Sequence, residues 1–254
     1  MNDHAEAGNG LEEDKDSPDQ MDESLDDTAD QENENSQELK ELQVMEASGP
    51  QVGETREQFA TRLHEAQVAL HKKHKTQQTR SGSLKGLVIV NTGNGKGKTT
   101  AALGVLFRAW GRGMRVCMLQ FIKATTSNYG ENKAAKRLGI EIIAMGDGFT
   151  WLSENIEKDK ATARQCWDLC QQKIMSGEYD IVILDEMTYT LSYGWLDVNE
   201  VINVLKQRPA GMHIIITGRN ALPELVEYAD MVTDMTEVKH PYTQGIKAQK
   251  GIEF

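Results

Sequence analysis

The sequence has few cysteines, no long apolar run and no aromatic side chain in its first fifty residues. Three cysteines in 254 residues exclude a disulfide framework, and Cys166 and Cys170 have no matching Cys or His pair for a zinc site. No run of 18 apolar residues occurs, and the acidic start lacks the apolar stretch of a secretory signal. We therefore expect a reduced, cytoplasmic chain without a membrane partner.

The net charge of −11 is concentrated at one end of the chain. Residues 1–50 carry 17 acidic and 2 basic side chains, whereas the rest carry 22 acidic and 26 basic. A segment with few apolar residues and many charges of one sign buries too little apolar surface to offset the conformational entropy lost on folding. Residues 1–50 are therefore predicted to be a disordered acidic tail. The remaining charge is close to balanced and indicates no general nucleic-acid-binding surface.

Residues 51–85 form a second segment, predicted to be helical and basic. Apolar residues recur at helical spacing from Phe59 to Leu70, and Thr55 with Gln58 has the spacing of a capping box. The basic run of residues 71–80 follows. Two interpretations of this segment stay open. Its basic residues form a solvated face, or the helix packs over a nucleotide site and brings Lys or Arg near phosphate.

Residues 86–254 alternate between short apolar runs and stretches of helical length. Continuous apolar strands that alternate with helices favour a parallel sheet covered on both faces. We predict an α/β domain: a three-layer α/β/α, P-loop NTPase-like (RecA-like) fold with a mainly parallel sheet. The expected strands are residues 87–90, 116–122, 140–145, 181–185, 213–217 and 231–235, and the expected helices are residues 98–112, 132–138, 159–175, 198–207 and 222–228.

The strongest chemical signal is the run NTGNGKGKTTAA, residues 91–102, which joins an apolar strand to an Ala/Leu-rich helix. Glycines let backbone N–H groups turn toward anionic oxygens, and the start of the helix adds its positive dipole end. Lys98 suits polyphosphate oxygens, and Thr99 offers a hydroxyl to magnesium. The predicted ATP-binding residues are Gly93, Asn94, Gly95, Lys96, Gly97, Lys98, Thr99 and Thr100.

This loop departs from the usual phosphate-binding pattern at one position. The pattern G-x-x-x-x-G-K-[ST] requires glycine where this chain has Thr92, so the glycine-rich stretch starts one residue nearer to Lys98. Lys96 adds a second cation. A tighter loop predicts that the nucleotide lies in an unusual pose.

A pair of carboxylates ends the run IVILDE, residues 181–186. Four apolar residues place Asp185 and Glu186 at the end of a strand, where they can hold magnesium directly or through water. In an ATPase the second carboxylate would activate a water molecule.

Three further residue groups are predicted near the same sheet edge, where ligands bind in open α/β domains. Phe149 and Trp151 follow a strand on a glycine-containing loop, and core packing is the alternative role for them. Arg219 follows the run HIIIT, and Arg108 lies on the helix after the glycine-rich loop. Both arginines are candidates to reach phosphate, with a surface role as the alternative for Arg108.

Several of these motifs together resemble the P-loop type of ATP:corrinoid adenosyltransferase, over roughly residues 64–254. The resemblance runs through TGNGKGKTTAA, QFIK (120–123), GFTW (148–151), LDE-x-TY (184–189), RP (208–209), ITGR (216–219), and VKH with GIKAQKGIEF at the end. The threonine at 92 and the GFTW loop are its specific parts.

The resemblance implies a reaction that is not hydrolysis. Cobalt(I) of a reduced corrinoid attacks the 5′ carbon of ATP, the adenosyl group moves to cobalt, and inorganic triphosphate leaves. It implies that residues 93–99 bind the triphosphate in a reversed ATP pose, that Lys98 stabilises its charge, and that Thr99 and Glu186, with Asp185 beside them, lie at Mg²⁺ or Mn²⁺.

The resemblance also implies roles for Phe149, Trp151 and partner proteins. The two aromatic side chains would press on the lower face of the corrinoid and exclude axial ligands, which eases reduction of cobalt(II). A homodimer and an electron-donating flavoprotein are expected. The alternative functions are a P-loop ATPase that acts on nucleic acid, supported only by the basic run, and a non-catalytic nucleotide or corrinoid carrier.

Overall fold

The structure is a computed structural model that describes residues 23–81, 85–124, 129–146 and 156–253. The chain divides into two compact units, Met1–Ser83 and Leu84–Phe254. Among the described residues, no helix combines the length and apolar character that crossing a bilayer requires.

The first unit contains two long helices, α1 (Glu23–Ser48) and α2 (Arg56–Ser81), which pack against each other. Leu42 and Met45 of α1 line one groove with Ala66 and Leu70 of α2. Residues 23–48 form a helix, whereas the sequence predicts disorder for residues 1–50. Average composition hides the regular apolar spacing near the end of α1, which gives that helix a surface to bury against α2.

The start of α2 has the predicted capping box. The Gln58 backbone N–H donates to Thr55 Oγ1 at 3.2 Å, and the Thr55 N–H donates to Gln58 Oε1 at 2.9 Å. Each side chain therefore satisfies a backbone donor that the first turn leaves without a partner. This part of the prediction is confirmed.

The second unit is built on a six-stranded sheet in which every neighbouring pair is parallel. Its order is β3-β2-β4-β5-β1-β6. The strands are β1 (Val88–Thr92), β2 (Val116–Ala124), β3 (Glu141–Gly146), β4 (Ile181–Asp185), β5 (His213–Thr217) and β6 (Met231–Asp234). The helices are α3 (Lys98–Trp110), α4 (Gly130–Leu138), α5 (Ile156–Met175), α6 (Thr188–Ser192), α7 (Val198–Lys206) and α8 (Pro223–Tyr228), with a 3₁₀ turn at Pro241–Gln244.

Helices cover both faces of this sheet, so the predicted three-layer architecture is confirmed. The apolar faces of α3 and α4 pack on one side of the sheet, and those of α5, α7 and α8 pack on the other. All three cysteines are free and buried in these cores. The apolar runs of the strands are continuous because both faces are covered.

The predicted strands and main helices agree with the structure to within a few residues. The five-residue helix α6 was not predicted, because a single turn carries too few residues for a periodic signal. The strand that leads into the glycine-rich loop is separated from β4 by β5 alone. The carboxyl ends of β1, β4 and β5 therefore meet at one edge.

Candidate functional site

The phosphate loop, residues 93–97, leads from β1 directly into α3. Gly93 has a φ of 93°, and a Cβ there would lie 2.0 Å from Asp234 Oδ1. Gly97 has a φ of 114° and is the N-cap of α3. Both backbone angles belong to the region that side chains disfavour, so glycine is required for this turn. The first turn of α3, whose N–H groups have no partner within the helix, therefore begins at the end of this loop.

Neighbouring segments hold the phosphate loop in place through backbone groups. The Gly95 N–H donates to the carbonyl of Met235 at 2.6 Å, just after β6. Thr92 Oγ1 accepts a 3.2 Å hydrogen bond from the Ala221 N–H, just after β5. The threonine that replaces the usual glycine therefore ties the start of the loop to the neighbouring strand end.

The Lys98 side chain is folded over the phosphate loop. Its ammonium donates to the carbonyl oxygens of Gly93 and Gly95 at 2.8 and 2.6 Å. Burial, and then the nearby positive charge of Arg219, lower the pKa of Lys98. A bound polyphosphate would raise the pKa of Lys98 again, because it supplies negative charge at the same place.

Lys96 lies on the same loop but points elsewhere. Its Nζ pairs with Glu253 Oε2 at 2.9 Å, and about half of the Lys96 side chain is exposed. Lys96, the second cation of the loop, is thus paired with Glu253 and is not turned toward the centre of the phosphate loop.

Asp185 is the most heavily hydrogen-bonded carboxylate of the site and is fully buried. Thr99 Oγ1 and Thr217 Oγ1 donate to Asp185 Oδ1 at 2.8 and 2.7 Å. The Gln120 amide donates to Asp185 Oδ2 at 3.2 Å. The structure therefore brings Thr99 and Asp185 together, as the sequence predicts, and fixes the orientation of the carboxylate.

Gln120, Lys123 and Thr217 were not predicted as individual site residues. Lys123 Nζ lies 3.9 Å from Asp185 Oδ2 and also pairs with Glu131. A signal was present in the sequence: Gln120 is a polar residue inside the apolar run VCMLQFI, and Thr217 ends another apolar run. A polar side chain in a fully buried strand needs a partner, and here the partner is Asp185.

Glu186 differs from Asp185 although the two are adjacent. Its backbone φ is 61°, and its N–H donates to Thr217 Oγ1 at 2.9 Å. Burial and, next, the charge of Asp185 raise the pKa of Glu186 to about 7, against the opposing effects of Lys123, Lys98 and Arg219. Left-handed backbone at a non-glycine residue is uncommon and concentrates at functional sites.

Four further residues were predicted to belong to the site, and among the described residues the structure brings one of them, Arg219, close to the phosphate loop. Arg219 is half-buried, and its charge acts on both Lys98 and Glu186. Arg108 is exposed on the last turn of α3, and ten residues of helix place it about 15 Å along the axis from Lys98. The structure does not bring Arg108 to the phosphate loop. Phe149 and Trp151 lie outside the described residues.

A cavity of about 450 Å³ lies beside the phosphate loop. Thr92, Gly93 and Asn94 line one wall, and residues from the ends of β5 and β6 line the others. Asn94 and Thr100, which the sequence predicts to bind ATP, are both exposed to solvent. The combination of a phosphate loop, oxygen ligands and an adjoining cavity can bind a polyphosphate, a divalent cation and the rest of a nucleotide.

Comparison with known proteins gives a consistent result for the second unit. Residues 84–254 match the family model described as ATP:corrinoid adenosyltransferase BtuR/CobO/CobP. The chain is 43% identical to a corrinoid adenosyltransferase of Escherichia coli over 170 residues, which cover 67% of this chain and 86% of that protein. It is 41% identical over 172 residues to one from Pseudomonas aeruginosa (67% and 84%), and 42% identical over 170 residues to one from Salmonella typhimurium (67% and 86%).

Proposed function

The chain belongs to the ATP:corrinoid adenosyltransferase family, and from that premise we propose how its site transfers the adenosyl group of ATP to a corrinoid. Cobalt(I) of the reduced corrinoid attacks the 5′ carbon of ATP. The carbon–oxygen bond to the triphosphate breaks as the cobalt–carbon bond forms, and the electron pair of the broken bond leaves with the triphosphate. The match over residues 84–254, which includes the phosphate loop, is the observation that carries this proposal.

The phosphate loop and Lys98 stabilise the leaving group in this proposal. Charge develops on the triphosphate as the bond breaks, so donors that are already positioned there lower the barrier. Lys98 must exchange its bonds to the Gly93 and Gly95 carbonyls for bonds to phosphate oxygens. Arg219 adds a second positive charge to the same region.

The residues around Asp185 fit a divalent cation, Mg²⁺ or Mn²⁺. Thr99, Asp185 and Glu186 supply only oxygen ligands, which these ions prefer. Glu186 has a raised pKa, and a bound cation would favour its ionised form. When bound, the cation would neutralise charge on the triphosphate. Because the family reaction does not use water as the nucleophile, Glu186 has no water to activate and acts as a ligand.

The corrinoid side of the reaction involves Phe149 and Trp151. By family resemblance these aromatic side chains exclude axial ligands from cobalt, with a flavoprotein as electron donor and a homodimer as the assembly. Phe149→Ala or Trp151→Ala should lower turnover with a weak biological reductant more than turnover with cobalt(I) prepared chemically. Equal losses in the two assays would assign the aromatics to folding or general binding.

One product assay tests the reaction itself. The protein is supplied anaerobically with ATP, Mg²⁺ and chemically reduced corrinoid, and the phosphorus product is identified. Inorganic triphosphate, formed one for one with alkylated corrinoid, supports adenosyl transfer. ADP and phosphate, with stimulation by DNA or RNA, would instead support the nucleic-acid-dependent ATPase that the comparisons do not favour. ATP and corrinoid binding without turnover would indicate a carrier.

A further inference from the structure

Lys123 and Glu131 form an ion pair beside the carboxylate of Asp185. Lys123 lies at the end of β2, and Glu131 lies in the first turn of α4. Both side chains are 16% exposed, so each charge requires a partner within the protein. Lys123 Nζ donates to Glu131 Oε1 and lies 3.9 Å from Asp185 Oδ2. The ammonium group is therefore bound to one carboxylate and close to a second.

The first turn of α4 holds Lys123 on the side of Glu131. Lys123 Nζ lies 4.8 Å from the centre of the Tyr129 ring, which adds a cation–π attraction. The positive end of the helix dipole stabilises the Glu131 carboxylate. Asn132 Nδ2 donates to Gln120 Oε1 at 3.4 Å and thereby ties the same turn to β2. Contacts of α4 thus fix the position of the ammonium group.

Asp185 can accept the ammonium group as well. Its Oδ1 accepts hydrogen bonds from two hydroxyls, those of Thr99 and Thr217. Among the described residues, its Oδ2 accepts one, from the Gln120 amide at 3.2 Å, although an ionised carboxylate oxygen can accept more. A movement of about 1 Å would bring Lys123 Nζ to hydrogen-bond distance of Oδ2. An ammonium group bound there would take up the oxygen that a divalent cation requires.

We propose that Glu131 is a positioning residue for the cation site: it binds Lys123 and so keeps Asp185 free to hold Mg²⁺ or Mn²⁺. The inference rests on the proposed function, and only on its cation site. Lys123 stays near Glu186 and still contributes positive charge there. Without the Glu131 carboxylate, the largely buried ammonium group would lose its ion-pair partner, and Asp185 lies within 4 Å of it. Lys123 would then move to Asp185 and compete with the cation.

Glu131→Gln tests the proposal, because it keeps the size of the side chain and removes its charge. The affinity for ATP is measured by calorimetry with Mg²⁺ and again with a chelator, and the ratio of the two affinities isolates the contribution of the cation. No corrinoid is present. The control is Glu157→Gln, which removes the same group from the first turn of α5, where Glu157 pairs with Lys160 at 2.8 Å but is 83% exposed.

For Glu131→Gln we expect the ratio to fall about tenfold or more, because a charge-assisted hydrogen bond to Asp185 must be broken before the cation binds. Lys123→Met combined with Glu131→Gln should restore the ratio to within about threefold of wild type, because the competing ammonium group is gone. Glu157→Gln should leave the ratio within about twofold. A low ratio in the double variant would show that Glu131 binds the cation itself, and would overturn the proposal.

Lys123→Met alone gives a test that does not depend on the folding of Glu131→Gln. Its ratio should equal or exceed that of wild type, since no ammonium group then competes for Asp185 or repels the cation. A ratio lowered by more than about threefold would mean that Lys123 supports the cation site directly, and would overturn the proposal.

A crystal structure of Glu131→Gln without metal gives a second readout. Lys123 Nζ should lie about 2.8 Å from Asp185 Oδ2, at the distance of a charge-assisted hydrogen bond. An ammonium group that stays near its present 3.9 Å, or turns to solvent, would overturn the proposal.

The same measurements separate this proposal from the reaction. If the wild-type ratio is one, the cation site is wrong and the role of Glu131 is wrong with it. If only the product assay fails, adenosyl transfer is wrong, and the ATP affinities still decide the role of Glu131 because they require no corrinoid.

Discussion

The phosphate loop and the Asp185–Glu186 pair lie at the same sheet edge but are held in different ways. The loop is fixed mainly through backbone groups: the Gly95 N–H donates to the Met235 carbonyl, and the Met235 N–H donates to the Thr92 carbonyl. Asp185 is fixed by side chains, with two hydroxyls and one amide as donors.

This difference separates the parts of the site that depend on shape from those that depend on hydrogen-bond chemistry. We therefore expect substitutions in the loop to act through a new Cβ where neighbouring backbone approaches closely. We expect substitutions around Asp185 to act through the hydroxyl donors that they remove, even when the shape of the residue is kept. Four substitutions or deletions sharpen the comparison.

Gly93→Ala should have the largest effect. The new Cβ would lie 2.6 Å from the backbone carbonyl oxygen of Met235, and alanine disfavours a φ of 93°. We expect loss of ATP binding and a stability loss of about 1–3 kcal/mol, measured by titration and chemical unfolding. Gly104→Ala is the control, since no atom lies near its Cβ within α3, and it should be neutral or stabilising. Equal effects of the two substitutions would contradict the backbone argument.

Thr217→Val should have the next largest effect. It keeps the shape of the side chain but removes a donor to Asp185 and an acceptor for the Glu186 N–H. Each buried group left without a partner costs about 1–3 kcal/mol, so the affinity for Mg²⁺ with ATP should fall about tenfold or more. Thr217→Ser restores the hydroxyl and should restore affinity. If the serine variant is as weak as the valine variant, the hydroxyl is not the cause.

Glu186→Gln should change pH dependence more than it changes maximal activity. The pKa of Glu186 is about 7 when folded, above its ordinary value, so the folded chain keeps a proton that the unfolded chain releases. Without metal, this group therefore makes the free energy of unfolding fall as the pH rises from about 4.5 to about 7, by at most about 3 kcal/mol. Metal affinity should instead rise with pH across neutrality. Glu186→Gln should remove both trends; unchanged slopes would place their origin elsewhere.

Removal of residues 1–50 should have the smallest effect. This segment is acidic, contains α1, and lies outside the residues that match the family model. We expect adenosyl transfer within about twofold of the full chain, because the phosphate loop, Asp185 and Thr217 all belong to the second unit. A larger loss would show that the amino-terminal segment contributes to the reaction.

Much of the nucleotide site follows from local sequence. Apolar runs predict the strands because both sheet faces are covered, and the loop motif predicts its own position between a strand and a helix. The pairing of Thr99 with Asp185 follows as well, since parallel strands end at one edge. These features depend on a few neighbouring residues or on a general rule of α/β folds.

The remaining features depend on contacts that sequence spacing does not encode. Nothing local reveals that the Thr217 hydroxyl lies between the Asp185 carboxylate and the Glu186 backbone N–H, because that requires the strand order. Arg108 was predicted near phosphate from its helix alone, and the direction of α3 carries it away from the loop. The difference at α1 arises from pairing with a second helix, which composition averaged over fifty residues does not register.

The ion pair between Lys96 and Glu253 has a practical consequence for handling the protein. A run of acidic residues fused after residue 254 would extend from the segment that contacts the phosphate loop, where its carboxylates would compete with Glu253 for Lys96. Nucleotide binding measured with such a fusion should be repeated after the added residues have been cleaved off.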